Sequence, residues 1–198
     1  MTWEDAWAEG RTRWDAGAPA PALEGLLAAG ALGPATGRRA VVPGCGSGHD
    51  VLALARAGFA AVGLDVAPTA GARFAALRAE AGLEGARIVI GDAFAHAPDA
   101  PYDVIWDYTF CCALDPAERP RWAALMERLL APEGVLATLI FPAIHAPSDY
   151  QGPPWPLWPD DQRAVLEPLG LQLARLEAVT ESHPGREGKE HLALWRRS

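Results

Sequence analysis

A strand, a glycine-rich turn, a helix, a second strand and an acid follow one another over residues 39 to 65. That order predicts an α/β fold with a Rossmann-like, mostly parallel, seven-stranded sheet and helices on both faces. Two further observations extend the prediction. Apolar runs of strand length alternate with helix-length stretches as far as Phe141, and two last strands flank a polar turn, as in an antiparallel hairpin. At 198 residues, half of them apolar, one domain spanning 1–198 with a full-sized core is the natural expectation.

Each element has its own signal. Residues 1–37 precede the first strand and carry Trp3, Trp7 and Trp14, whose offsets of four and eleven put all three on one face if the segment is helical. Gly10 interrupts that pattern, and Asp15 to Pro21 reads as an extended connector. The first strand ends at Pro43 and the second runs Ala60 to Asp65. Pro68 opens a helix to about Ala81, with Phe74 and Leu77 apolar. Arg87 to Ile90 is a short strand, followed by Gly91-Asp92-Ala93-Phe94. Tyr102 to Asp107 is nearly all apolar, as central parallel strands are. Pro116 starts a helix ending near Leu130, Pro132-Glu133-Gly134 turns the chain, and Val135 to Phe141 is the next strand. Residues 142–159 hold six prolines and read as a long loop. A short helix at Asp160 to Leu169 leads to strands Leu171 to Glu177 and His191 to Arg196, joined by a turn in which Arg186 and Lys189 could attract an anionic acceptor but read more simply as solvated.

The chemistry concentrates in Pro43-Gly44-Cys45-Gly46-Ser47-Gly48-His49-Asp50. Glycines there let main chain approach a ligand closely, and the following helix offers unpaired N–H groups. Asp65, at the end of the next strand, is placed to accept from ribose hydroxyls. The spacing is G-x-G-x-G, and His49 stands where the dinucleotide pattern G-x-G-x-x-G needs its third glycine. This favours S-adenosylmethionine (SAM) over NAD or FAD. A NAD-dependent oxidoreductase and a glycine turn without a ligand are the competing readings.

Bulk properties narrow the class. A net charge of −8 argues against nucleic acid and against an anionic membrane surface. No apolar run approaches the roughly 20 residues of a membrane helix, and the acidic start lacks the features of a signal peptide. Three cysteines, two of them adjacent, make no disulfide framework, so a cytoplasmic protein is expected. Neither a Ser-His-Asp arrangement nor metal-ligand spacing stands out, so no metal is expected. Nothing suggests a coiled coil, which leaves a monomer as the default.

Four segments in order resemble the thiopurine, thiol and halide methyltransferase family. They are Trp3…Trp7…Arg13-Trp14-Asp15…Gly17…Pro19, then Val42 to Asp50, then Gly63-Leu64-Asp65, then Asp103-Val104-Ile105-Trp106-Asp107-Tyr108-Thr109-Phe110-Cys111-Cys112-Ala113-Leu114. The resemblance implies a class I methyltransferase fold and SAM as cofactor. It implies that Trp3, Trp7 and Trp14 form an aromatic lid, that Gly44 and Gly46 meet the methionine part, and that Asp65 holds the ribose. It further implies that Asp92 and Ala93 flank the adenine and that Tyr108 stands where cofactor and acceptor meet, as the catalytic position. The bland readings are that the tryptophans pack on the core and that Tyr108 is a buried tyrosine with a satisfied hydroxyl. One departure is Cys111-Cys112, where relatives often show Phe before Cys.

The reaction implied is in-line transfer of a methyl group to a small soft nucleophile: a thiol, hydrosulfide or halide. Such a reaction needs positioning more than a general base. Acceptor-pocket candidates are Trp14, Tyr108, Phe110, Cys111, Trp155 and Trp158, with residues 142–159 either a lid or a surface loop. Alternatives within the same cofactor class are a thiopurine or other small-molecule methyltransferase and a SAM-binding module without turnover.

Overall fold

A computed structural model describes residues 2–198; Met1 lies outside them. The chain forms two compact units, one ending at Asp99 and the other running Ala100–Ser198. Seven strands form among the described residues, all within a residue or two of the predicted positions except β5.

The first unit contains α1 (Trp3–Ala8), α2 (Pro21–Ala28), β1 (Arg39–Pro43), α3 (His49–Arg56), β2 (Ala60–Asp65), α4 (Pro68–Ala81) and β3 (Arg87–Ile90). Its strands are parallel in the order β3-β2-β1, with Val41 opposite Val62 and Gly63 opposite Ile88. Ala40 to Pro43 of β1 are all buried, whereas three of the four residues of β3 are exposed. Of the two readings of the tryptophan segment, one unbroken helix or a break at Gly10, the structure has the break. Gly10 takes a left-handed backbone (φ 71°) and α1 stops at Ala8, so Trp14 lies beyond the helix. Helix α2 was not foreseen: Pro21, read as the end of a connector, is its first-turn proline, and Leu23 and Leu26 bury its inner face.

Helix α3 starts at Gly48, whose φ of 81° only glycine adopts cheaply. A Cβ on Gly48 would stand 2.3 Å from Cδ2 of Phe74, a buried α4 residue. Close helix packing, as much as ligand approach, therefore requires this glycine. Helix α4 ends at Gly82, also left-handed (φ 65°), with open space around it.

The second unit contains β4 (Tyr102–Tyr108), α5 (Arg119–Leu129), β5 (Leu130–Ile140), α6 (Pro159–Leu166), β6 (Leu171–Ala178) and β7 (His191–Arg197). Its strand order is β4-β5-β7-β6. β4 and β5 are parallel, and β7 is antiparallel to both neighbours, the hairpin that the pattern predicted. Pro132-Glu133-Gly134 is not a turn ahead of the strand but an irregularity inside it, since pairing jumps from Tyr102–Leu130 to Val104–Val135. The core holds Trp106, Trp122, Met126, Leu129 and Trp195, all fully buried. Its polar atoms are satisfied: Trp195 Nε1 donates to Thr138 Oγ1 (3.1 Å), and the Thr138 hydroxyl donates to Gln162 Oε1 (2.8 Å). Among the described residues no helix is long and apolar enough to cross a membrane.

The two left-handed glycines separate backbone strain from packing. Gly82→Ala should cost about 1 kcal/mol, the left-handed penalty alone. Gly48→Ala should cost about 2–5 kcal/mol, because the clash with Phe74 is added. Urea unfolding of the two variants checks the difference.

Candidate functional site

In the first unit, the glycine turn after β1 places left-handed backbone at Gly44, Gly46 and Gly48 (φ 59°, 55° and 81°). Asp65 stitches this turn to the start of α4: Oδ2 accepts from the Gly46 N–H (2.8 Å) and Oδ1 from the Ala67 N–H (2.9 Å). The carboxylate is buried, and burial pushes its pKa up against those two hydrogen bonds. Each oxygen keeps a second lone pair, so the acid can still accept from a vicinal diol. The residues present thus fit a ribose, with Asp65 already held in place by its neighbours.

Gly46 has a second reason to lack a side chain. Its Cβ would stand 3.1 Å from Cζ2 of Trp7. Trp7 is buried on Ala67 and Ala70, with the Arg73 guanidinium 5.0 Å from its ring centre. Trp14 is half-buried and meets Trp3 and Trp7 edge to face, with centroids 5.1 and 5.8 Å apart. Trp3 remains 36% exposed. The three tryptophans therefore cluster as predicted, by fold-back of the chain and not along one helix, and Trp7 is as much core as site.

Carboxylates fasten this N-terminal strap. Glu4 accepts from the Thr69 hydroxyl (2.6 Å) and from its N–H (3.0 Å), supplying the cap that Ala67 cannot give α4. Asp15 accepts from the Ser47 hydroxyl (2.8 Å), and Asp50 from the Ala20 N–H (2.8 Å). Asp92 is exposed and caps its own short turn through the Phe94 N–H (2.9 Å), beside buried Ala93. The Gly91 N–H donates to the Asp65 carbonyl (2.8 Å), which brings this turn to the end of β2. Sequence reasoning overlooked Val66, 52% exposed directly after Asp65. The available signal was an apolar residue following the acid of a buried strand.

In the second unit, β4 ends at Tyr108, and Thr109 takes a left-handed backbone (φ 68°), strained for a β-branched residue. Asp107, just inside, is 2% exposed and accepts from Trp122 Nε1 (2.6 Å) and the Cys111 N–H (3.2 Å). Burial pushes its carboxyl up to about 6. Burial also pushes the Cys111 thiol up and Cys112 to about 12, so both stay neutral thiols and not nucleophiles. Tyr108 is 8% exposed and donates to Glu190 Oε1 (2.5 Å). His183 stacks on its ring, and the Arg186 guanidinium lies 4.9 Å from the Tyr108 ring centre and 5.0 Å from that of Phe141.

Arg186 corrects the sequence reading. It is buried against two aromatic rings, while Lys189 is exposed and donates to the Gly185 carbonyl (2.9 Å), as a solvated turn residue does. Glu190 and His183 were missed as well, because a Gly-rich, charged stretch reads as surface. The 142–159 loop is tied down near its two ends. Ala143 N–H donates to Lys189 O (2.9 Å), Leu157 N–H to Pro142 O (3.1 Å) and Trp155 N–H to Cys112 O (2.7 Å). Arg119 donates to Pro156 O and pairs with Asp161 (2.9 Å). Half-buried Phe110, buried Cys111 and Trp155 are thereby gathered at one turn, whereas Trp14 belongs to the tryptophan cluster of the first unit. Outside that turn, Ile144, His145, Tyr150, Trp155 and Trp158 line an open groove of about 410 Å³.

The profile of the family described as "Thiopurine S-methyltransferase (TPMT)" matches residues 1–197. The chain is similar to "Probable thiol methyltransferase 2" of Arabidopsis thaliana, with 38% identity over 99% of this chain and 84% of that one. It is similar to "Thiocyanate methyltransferase 1" of the same plant, with 36% identity over 98% and 84%. Among solved structures, the fold resembles magnesium protoporphyrin IX methyltransferase of Synechocystis PCC 6803 with bound SAM. There the TM-score is 0.67 and the identity 20%, over 89% of this chain and 76% of that one.

Asp107 generates a pH signature. Its folded pKa, about 6, lies above the ordinary 3.8, so the folded state holds the proton more tightly. The stability this contributes is complete below about pH 4 and is lost as pH rises through 6, a change of about 3 kcal/mol. Denaturant unfolding of the wild type minus that of Asp107→Asn should fall by up to this amount between pH 4 and pH 7. A flat difference refutes it.

Proposed function

We propose a reaction for a chain that belongs to the thiopurine S-methyltransferase family: transfer of the methyl group of SAM to a small soft nucleophile, a thiolate, hydrosulfide, thiocyanate or halide ion. That the protein is a SAM-dependent methyltransferase acting on small sulfur nucleophiles follows from the family and its thiol and thiocyanate methyltransferase relatives. The extension to halides, and to anions as the preferred acceptors, is our own reading. One observation carries it: a buried guanidinium, Arg186, over the rings of Tyr108 and Phe141 at the carboxyl end of β4. In open α/β sheets ligands bind outside the carboxyl ends of strands. A buried cation among aromatic walls attracts an anion strongly and strips it of water.

SAM supplies a methyl group on a sulfonium centre, and the acceptor must reach it in line with the leaving sulfur. The protein's residues divide the remaining tasks. Asp65 holds the ribose hydroxyls, and Asp92 accepts from the adenine amino group beside Ala93. Exposed Val66 offers that ring an apolar face. Gly44 and Gly46 let main chain approach the methionine part, beneath the cover of Trp3, Trp7 and Trp14. Arg186 and Tyr108 receive the acceptor, and Phe110, Cys111 and Trp155 keep its surroundings dry. No side chain need form a covalent bond. A cytoplasmic monomer taking soluble small molecules is the setting we propose.

Release of S-adenosylhomocysteine measured against iodide, thiocyanate, hydrosulfide, an alkyl thiol, an aromatic thiol and a thiopurine tests the reading. Turnover of the small anions is expected. SAM binding with silence across the panel would make the protein a binding module. Arg186→Met should lower kcat/KM for the anions at least tenfold, the loss of one charge-assisted contact of about 1.5–3 kcal/mol, and leave the SAM Kd unchanged.

A further inference from the structure

Glu190 has no task in the transfer of a methyl group to an anion, yet it is 2% exposed and accepts the Tyr108 hydroxyl at 2.5 Å. Its carboxylate takes the Tyr108 proton, and Arg186 donates to the same hydroxyl, so one of the two Oη lone pairs remains for a further donor. Halide and thiocyanate ions carry no proton to donate. A thiol does.

We infer that Glu190 and Tyr108 form a proton relay that lets this enzyme methylate neutral thiols, while anionic acceptors bypass it. This rests on the acceptor reading above. Atoms and electrons balance as follows. The thiol S–H proton passes to Tyr108 Oη as the Tyr108 proton passes to Glu190 Oε1. The freed sulfur lone pair forms the new S–C bond. The S–C bond of the sulfonium breaks, and its electron pair stays on the sulfur of S-adenosylhomocysteine. The proton left on Glu190 returns to solvent after release.

The surroundings suit this relay. Burial first, and the Glu190 hydrogen bond second, push the Tyr108 pKa upward, so Tyr108 stays a hydroxyl and passes a proton without storing charge. The groups that face the pair are Arg186 over the Tyr108 ring and His183, from the β6–β7 connection, stacked on that ring; Cys112, within electrostatic reach of Arg186, stays a thiol. Lys189 is turned to the Gly185 carbonyl. Arg186, over the Tyr108 ring, remains to hold the sulfur anion as it forms. Glu190 acts through Tyr108 and is a positioning residue in this sense.

The test is kcat/KM for a thiol of pKa about 8.5 between about pH 6 and pH 9, with thiocyanate as the proton-free acceptor. The wild type should turn over the thiol at pH 6 faster than its thiolate fraction allows. Glu190→Gln should lower thiol turnover at pH 6 at least tenfold, the low end of proton-transfer catalysis. That loss should shrink about tenfold per pH unit toward the thiol pKa, and the thiol-to-thiocyanate ratio should fall with it. Tyr108→Phe also removes a hydroxyl from the acceptor's surroundings and so lowers turnover of both acceptors, but the thiol-to-thiocyanate ratio should show the same pH-dependent fall, and this variant removes no charge should the glutamine variant fail to fold. Equal losses with both acceptors, or a variant profile parallel to wild type, would overturn the relay. So would a wild type whose turnover simply tracks thiolate, with the acceptor reading left standing. A wild type silent with thiols at every pH would overturn the acceptor reading and the relay together.

Discussion

Carboxylates buried at strand ends organise both units, and each is held by donors that lie close in the chain or across one strand. Asp65 takes N–H groups from the glycine turn and from the start of α4. Asp107 takes an indole and the N–H of Cys111, and Glu190 takes a phenol. A buried carboxylate without such donors would cost several kcal/mol, so the loops around each one must hold their shape. The same geometry that solves the burial problem fixes the turns on which ligand contacts depend. Removal of Asp65 would therefore loosen the glycine turn as well as remove the acceptor proposed for the ribose.

Much of the architecture was legible because it rests on period and punctuation. Buried strands read as apolar runs, and glycine or proline marked their ends. The misses share one cause: local composition does not report what a distant segment packs against. Arg186 and Glu190 sit in Gly-Arg-Glu-Gly-Lys-Glu, which reads as a solvated turn, and only the proximity of the Tyr108 and Phe141 rings makes it an interior. Pro21 looked like a connector because Pro19 precedes it, although it starts α2. Gly10 was visible as a breaker, and it did break the helix. The tryptophans met nonetheless, because Trp14 returns to Trp7 through the loop.

The glycines of the turn show how one motif can have two reasons. Their spacing pointed to close approach by a cofactor. In the structure, Gly46 makes room for Trp7 and Gly48 for Phe74. Both reasons demand the same residue, so the sequence could not separate ligand contact from packing. The cysteines illustrate the converse. Their adjacency invites redox or nucleophilic readings, but burial keeps Cys111 and Cys112 as neutral thiols.

Glu4 ties the strap to a helix that has no cap of its own. Since the Thr69 N–H finds its acceptor only on α1, lifting the strap also uncaps α4. A cap is worth about 1 kcal/mol, so this one bond alone lowers the population of an opened strap about fivefold. The residence time of whatever lies beneath the tryptophans is thereby coupled to the integrity of a helix end.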